Sequence, residues 1–405
     1  MNIYTLNTNT SFNEYRTEYH HNNTSEDIQL FKNNSKADKN IIQEEKNWFI
    51  ETISNYYKIL KKFFTEKENE KAWNKNYNWS EGISRNISEI VLNKQVAKDT
   101  KLVNSLEQIG REVGFKVTTS KLSNIRNGMW IEDYSIRRAD GKIYIQPRMT
   151  NNTNVVFKQK PIQNSILSQE YAYLYDDNKL IFGKSYIEGG NILNTRLKNG
   201  EAGAIIGLET LNYTIDAMKL KGNPFDFNLA KIQIAKDLGL KPENITYINQ
   251  PDFHIDMFYR PLQDGVIAIP DFEAAIEILK SINITNMDNE TKAKLIEQLT
   301  ETGKKLFNSQ TENKLKQNGY TIKKIPCFTV PSYKNNSTKI NFQNAVCGSD
   351  KNGKSYIITN KSEYPEIDEI IEKEFKKAGI NSVYFVPTKD YLQYQGGIDC
   401  LTQER

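Results

Sequence analysis

One of the chain's three cysteines, Cys400, sits where chemistry would want it. It follows a glycine pair in Tyr394-Gln395-Gly396-Gly397-Ile398-Asp399-Cys400, so small residues leave its sulfur open to approach. A second stretch, Phe253-His254-Ile255-Asp256, carries the one histidine beyond residue 21. A cysteine, a lone histidine and an acid two positions on are the parts of a nucleophile with its base and an orienting or binding carboxylate. The competing reading is a thiol that packs and a histidine that caps a strand. Two further acid-bearing stretches weigh against it. Trp130-Ile131-Glu132-Asp133-Tyr134 precedes a hairpin pattern, and Tyr186-Ile187-Glu188-Gly189-Gly190-Asn191 runs an apolar strand into a carboxylate and two glycines. One acid before glycine is commonly a turn former. Four such stations, each after a separate strand or helix-strand unit, point to residues gathered at the centre of a ring of repeats.

The elements that must do the gathering recur. An amphipathic helix, a glycine stop and an apolar strand follow one another four times. The helices run over 102–113, 227–238, 304–318 and 367–378. They stop at Gly114, Gly239, Gly319 and Gly379 and lead to strands near 115–119, 245–248, 320–325 and 382–386. Hairpins fall between them, over 136–145 with its turn at Ala139-Asp140-Gly141 and over 343–359 with its turn at Lys351-Asn352-Gly353. Residues 272–315 hold more helix than a connection needs and read as an insertion, with Asp271 as the cap of its first helix.

Upstream the pattern changes. Residues 1–40, rich in Asn, Ser, Thr, Lys and Glu, read as a poorly ordered tail in which His20 and His21 are solvated. From Ile41 to Phe64 apolar residues recur every three or four positions, a wide helical stripe. Trp73, Trp79, Ile83, Ile87, Ile90 and Val91 predict a second helical segment. Residues 41–99 are therefore expected to be a helical extension, packed on the main body or binding a protein partner, and 100–405 to be the catalytic domain.

Composition narrows the function. With 38% hydrophobic and 26% charged residues the chain has the make-up of a soluble globular protein, and its net charge of +4 gives nucleic acid no electrostatic footing. No basic block suggests a membrane patch, and no apolar run reaches spanning length. The three cysteines form no Cys-x-x-Cys pair and, with three histidines, no zinc spacing. No metal or organic cofactor is expected. An odd, low cysteine count fits a reducing compartment. The first residues lack a secretory pattern, so a cytoplasmic location or export by a signal-independent route is expected.

His-x-Asp with a near-terminal Gly-x-x-Cys, preceded by Trp-x-x-Asp and Glu-Gly-Gly-Asn in that order, resembles the guanidino-group-modifying superfamily, whose members include arginine, agmatine and peptidyl-arginine deiminases and amidinotransferases. The resemblance covers residues 100–405. It implies a pentein-type α/β propeller of ββαβ repeats, here with an N-terminal helical extension. It also implies Cys400 as nucleophile, His254 as general acid/base and Glu188 as the acid supporting the histidine. Asp133 and Asp256 match the carboxylates that grip the guanidinium; Trp130 and Asn344 match substrate-site positions. The implied activity is hydrolysis of a guanidino group, with arginine in a protein or peptide as substrate. The alternatives are free arginine or an agmatine-like amine, amidino transfer, and a binding protein on the same scaffold. Two departures stand out. Asp399, an acid, precedes the cysteine, and Glu132-Asp133-Tyr134-Ser135 replaces the Arg-Asp-x-Gly-Pro of agmatine deiminases.

Overall fold

The computed structural model describes residues 79–120, 129–134, 136–151, 159–172, 179–222, 226–306, 309–331 and 340–405. All lie in the larger of two units, Phe63–Arg405. The expected tail, 1–40, and the stripe from Ile41 to Phe64 fall outside them.

Among the described residues, fifteen strands form five three-stranded sheets. β3 (Ile136–Arg137) pairs antiparallel with β4 (Ile143–Ile145), and β4 pairs parallel with β5 (Leu180–Phe182). The same order of one antiparallel and one parallel pairing repeats in β6 (Ile192–Arg196), β7 (Ala202–Gly207) and β8 (Ile245–Ile248). It repeats in β9 (Arg260–Gln263), β10 (Val266–Asp271) and β11 (Thr321–Pro326), and in β12 (Val346–Ser349), β13 (Ser355–Asn360) and β14 (Ser382–Val386). The fifth sheet takes β1 (Glu89–Leu92) and β2 (Lys116–Thr119) from one end of the chain and β15 (Thr402–Glu404) from the other, with Ile90 opposite Glu404.

A parallel pair needs a crossover, and in every sheet the crossover is helical. α1 (Thr100–Val113) joins β1 to β2, and α2 (Gln159–Ala172) joins β4 to β5. α3 (Leu208–Leu220) and α4 (Phe227–Leu238) lie between β7 and β8. The expected insertion is three helices, α5 (Phe272–Ser281), α6 (Asn289–Leu306) and α7 (Ser309–Gln317). α8 (Pro365–Lys377) joins β13 to β14. Local chemistry sets their ends. Asp99 accepts from the backbone N–H of Lys101 and Leu102, each at 3.1 Å, at the start of α1, and Gly114 ends it at φ 108°. Asp271 caps α5 through the N–H of Ala274 at 2.9 Å. Two of these helices bury clear apolar stripes, Leu102, Leu106, Ile109 and Val113 in α1 and Ile367, Ile371 and Phe375 in α8. At ~1.5–3 kcal/mol per buried side chain, such stripes outweigh the caps at ~1 kcal/mol in fixing helices to sheets.

Residues 79–99 correct the expected boundary at 99/100 and the helix read over Trp79, Ile83, Ile87, Ile90 and Val91. Glu89–Leu92 is the central strand β1, and the residues before it, bends and a turn over 81–85 and then irregular chain, cross other sheets. The indole N–H of Trp79 donates to Gly203 O at 2.7 Å, and the Glu81 N–H to Asn194 O at 2.9 Å. Ile83 N–H reaches Leu262 O at 2.7 Å, Arg85 O accepts from Ser349 N at 2.9 Å, and Ser88 N–H reaches Arg405 O at 2.7 Å. This strap thus bonds in turn to the β6–β7 sheet, β9, β12 and the residue after β15. From Ser84 to Ser88 burial alternates residue by residue, the period of extended chain. Tertiary hydrogen bonds to four sheets override a helical spacing of apolar residues. Among the described residues no helix is long and apolar enough to cross a membrane.

Candidate active site

Each sheet offers the stretch just before its first strand to one locus. Ahead of β3 a 3-10 turn, Ile131–Tyr134, carries Glu132 and Asp133. Ahead of β6 comes Glu188, then a 3-10 turn Gly189–Asn191. His254 and Asp256 precede β9, and Asn344 precedes β12. Cys400 lies on a short helix, α10 (Ile398–Leu401), that feeds straight into β15. Another of the same length, α9 (Lys389–Leu392), comes before it.

Glycine lets these stretches meet. A Cβ on Gly190 would lie 2.1 Å from Nδ1 of His254, and one on Gly189 would lie 2.2 Å from the Glu132 carbonyl oxygen. A Cβ on Gly397 would fall 2.6 Å from Oδ1 of Asn344, and one on Gly396 would enter the Trp130 ring. The two glycine pairs noted in the sequence are therefore close-approach sites, where any side chain would force the acid, the histidine or the thiol aside.

Two hydrogen-bonded groups result. In the first, the Asn344 amide donates to Asp256 Oδ2 at 2.7 Å and to Cys400 Sγ at 3.1 Å, while Sγ lies 3.2 Å from the same Asp256 oxygen. Asn344 Oδ1 accepts the Asp399 N–H at 3.1 Å, and Asn360 accepts the Ile398 N–H at 2.9 Å while its amide donates to Asn344 O at 2.8 Å. Two asparagines thus fix both the turn under the sulfur and the acid facing it. In the second group His254 Nε2 is 3.1 Å from Glu188 Oε2, and Nδ1 is 3.8 Å from Asp133 Oδ1. The Tyr186 hydroxyl donates to the other Glu188 oxygen. Gly190 O accepts from Ile255 N at 3.0 Å and Asp256 N at 3.2 Å, locking the His-x-Asp stretch to the Glu-Gly-Gly stretch. Asp237 at the end of α4 accepts the N–H groups of Lys184 and Ser185, each at 2.8 Å, which steadies the approach to Glu188.

Of the residues singled out in the sequence, Cys400, Asp256 and Asn344 touch one another, as do His254 and Glu188 with Asp133 beside them; Trp130 packs against the Gly396 backbone. Three others were not given a role there: Glu132, Arg260 and Glu81. Carboxylate oxygens of Glu132 and Asp256 and the Cys400 sulfur lie within 4.8 Å of one another, as do those of Glu81, Glu132 and Asp399. In the second set Arg260, with no exposed surface, donates to Glu81 Oε2 at 3.2 Å and to Asp399. The expected penalty of an acid beside the thiol is thus partly met by turning Asp399 onto an internal guanidinium. Arg260 had one signal in the sequence, a lone charge inside the apolar run Met257-Phe258-Tyr259-Arg260-Pro261-Leu262.

Burial dominates the electrostatics. It pushes the carboxyls of Glu132 and Asp399 well above the usual carboxylate range, with neighbouring acids adding to it and Arg260 opposing it. Asp256 is raised by burial and held back by His254 and Arg260, and Glu81 is raised to about 7 by burial against the pull of Arg260. Burial, then Asp256, Glu132, Asp133 and Asp399, push the Cys400 thiol well above its ordinary value. Cys327 and Cys347 are fully buried core thiols, both pushed up to about 12 by burial.

No protein-family model and no curated protein matches the chain. Among solved structures, agmatine deiminase from C. jejuni is 17% identical, covering 80% of this chain and 95% of that one at a TM-score of 0.49. Its cysteine-to-serine variant with substrate bound is 15% identical, with the same coverage and a TM-score of 0.50. DDAH from Pseudomonas aeruginosa, complexed with citrulline, is 12% identical over 79% of this chain and 99% of that one at 0.42. The chain has an α/β fold that matches that of the substrate-bound agmatine deiminase variant.

Proposed function

We propose that the protein is a hydrolase that deiminates a guanidino group through a covalent adduct on Cys400, with arginine in a protein or peptide as its substrate. The five sheets are then the blades of an α/β propeller around the site. One observation carries the reading: a buried thiol is ringed by carboxylates that outnumber the internal cations. Among the described residues neither Asp256 Oδ1 nor Glu132 Oε2 accepts a hydrogen bond. A guanidinium is planar, keeps its charge, and presents N–H groups in a fork that fits such oxygens.

In this mechanism Asp133 and Asp256 hold the cation with its carbon over Sγ. The added positive charge favours the thiolate, and the thiol proton passes to His254. Sulfur adds to the carbon, and His254 gives the proton to the departing nitrogen, which leaves as ammonia. A thiouronium remains on Cys400. His254 then takes a proton from water, the oxygen adds to the same carbon, and the carbon–sulfur bond breaks to release the ureido product and restore the thiolate. Glu188 holds the imidazole in place throughout. The remaining hydroxyl proton leaves the ureido product for solvent, where ammonia takes it up, and His254 returns its proton to the sulfur.

The test is a colorimetric ureido assay on the full chain with a peptidyl-arginine substrate, free arginine and agmatine, paired with mass spectrometry of quenched enzyme. Turnover of the peptide, with an adduct on the Cys400 peptide, is expected. Turnover confined to a small substrate replaces the substrate reading and leaves the reaction standing. Absence of both ureido product and adduct with all three sinks the proposal.

A further inference from the structure

Arg260 joins three segments at one guanidinium. Its Nη1 lies 3.2 Å from Glu81 on the strap, its Nη2 donates to Asp399 on the turn that presents the sulfur, and its Nε donates to Gln343 O at 3.3 Å, one residue before Asn344. Glu81 uses both oxygens, the second accepting the Asn194 N–H at 2.9 Å. It is 7% exposed, and Arg260 not at all. An acid brought from a segment outside the strand repeats, and buried with its charge shared, has a cost that packing alone does not explain.

We propose that Glu81 is a positioning residue for the Cys400 thiol: carried into the core by the strap, it shares the Arg260 guanidinium with Asp399 and so sets the charge beside the sulfur. The sulfur is faced by Asp256 from the stretch before β9, by Glu132 and Asp133 from the 3-10 turn, and by Asp399 from its own helix, with the Asn344 amide as a neutral donor. Arg260 is the cation that opposes the burial of Asp256, Glu132 and Asp399 alike. Glu81, which also faces Arg85 from the strap and Glu404 from β15, competes with all three for it and takes up its own charge at about 7. Below that pH the guanidinium serves the acids around the thiol; above it the guanidinium is shared. The inference rests on Cys400 as the reacting thiol but not on which guanidino compound is the substrate.

The experiment is alkylation of the full chain by iodoacetamide from about pH 6 to about pH 9, with labelled peptides quantified by mass spectrometry. Below its pKa a thiol reacts roughly tenfold faster per pH unit, because only the thiolate attacks. In the wild type the slope for Cys400 should flatten around neutrality, where Glu81 ionises and disfavours the thiolate. Glu81→Gln should restore the full slope and label Cys400 faster at about pH 8, while Cys327 and Cys347 stay unlabelled. An unchanged profile in Glu81→Gln overturns the proposal, since a residue that only packs would leave the profile alone. Should that variant unfold and label its core thiols, the wild-type slope decides: flattened near neutrality supports the role, and full slope throughout overturns it. Loss of ureido activity with an intact alkylation difference would fault the substrate reading and not this one.

Discussion

Burial and four facing acids all disfavour negative charge on the Cys400 sulfur. A cationic reagent should reverse that field locally. At neutral pH, 2-chloroacetamidine should label Cys400 faster than iodoacetamide, with iodoacetate slowest; equal rates for the three would remove the carboxylates from any electrostatic role. The acids should also separate by function. In a Cys400→Ala background, Asp256→Asn or Asp133→Asn should weaken substrate binding by ~2–5 kcal/mol, since a desolvated cation is left short of a partner. Glu188→Gln should leave binding near wild type. With Cys400 intact it should lower the rate and displace the pH profile, because it touches His254 at 3.1 Å and not the substrate. Calorimetric titration decides the first part and steady-state rates the second. In the sequence, glycine pairs singled out Cys400 and Glu188, the lone His254 singled out Asp256 two positions on, and Trp-x-x-Asp singled out Asp133. Glu81 and Arg260 were not, because their meaning lies in a contact 179 positions apart.

At the scale of elements, the site is built from turns, and the turns tolerate no added atoms. Gly190→Ala would press a methyl group to 2.1 Å from the His254 ring. The ring must shift, so activity should fall by more than an order of magnitude, as for a misplaced catalytic group, with thermal stability changed far less. Gly114→Ala makes the contrast: its φ of 108° strains a side chain, but nothing lies within 4 Å. It should cost stability (~1 kcal/mol or more) and spare the rate. Circular dichroism melts set beside rates for the two variants check this, and the reverse pattern would show that glycine serves the fold alone. The repeated helix, glycine and strand order was readable because caps, stops and stripes are local signals. The strap was misread as helix because its apolar residues fall three and four apart. The clue lay in Arg85 and Ile87 alternating with Ser84, Asn86 and Ser88.

For the whole molecule, buried acids tie stability to pH. A carboxyl whose pKa is raised by folding binds its proton more tightly in the native state than in the unfolded one. Its contribution is therefore fully present below the unfolded value and is lost as pH rises through the folded value. For Glu81 that window runs from 4.5 to about 7. The wild type should lose melting temperature between about pH 5 and about pH 7.5, and Glu81→Gln should lose less; equal losses in a scanning fluorimetry series would contradict the assignment. Deleting residues 1–88 should cost ~3–5 kcal/mol, because Arg260 would be left buried with one of its two carboxylate partners gone. Deleting 1–78 keeps the strap and spares that loss, and denaturant midpoints separate the two.

The pairing of β15 with β1 has a consequence for how the protein comes into being. Ser88 and Arg405 bond across 317 positions, and Cys400 stands two residues before β15. A growing chain can form four of the sheets as their strands appear, but the fifth waits for residues 402–404. Until they emerge and find β1, the turn that bears the sulfur has no strand to hang from. The carboxylates, the histidine and the strap can all be made early, yet none of them meets a thiol. No nascent chain shorter than this closure therefore brings the thiol, the acids and the histidine together.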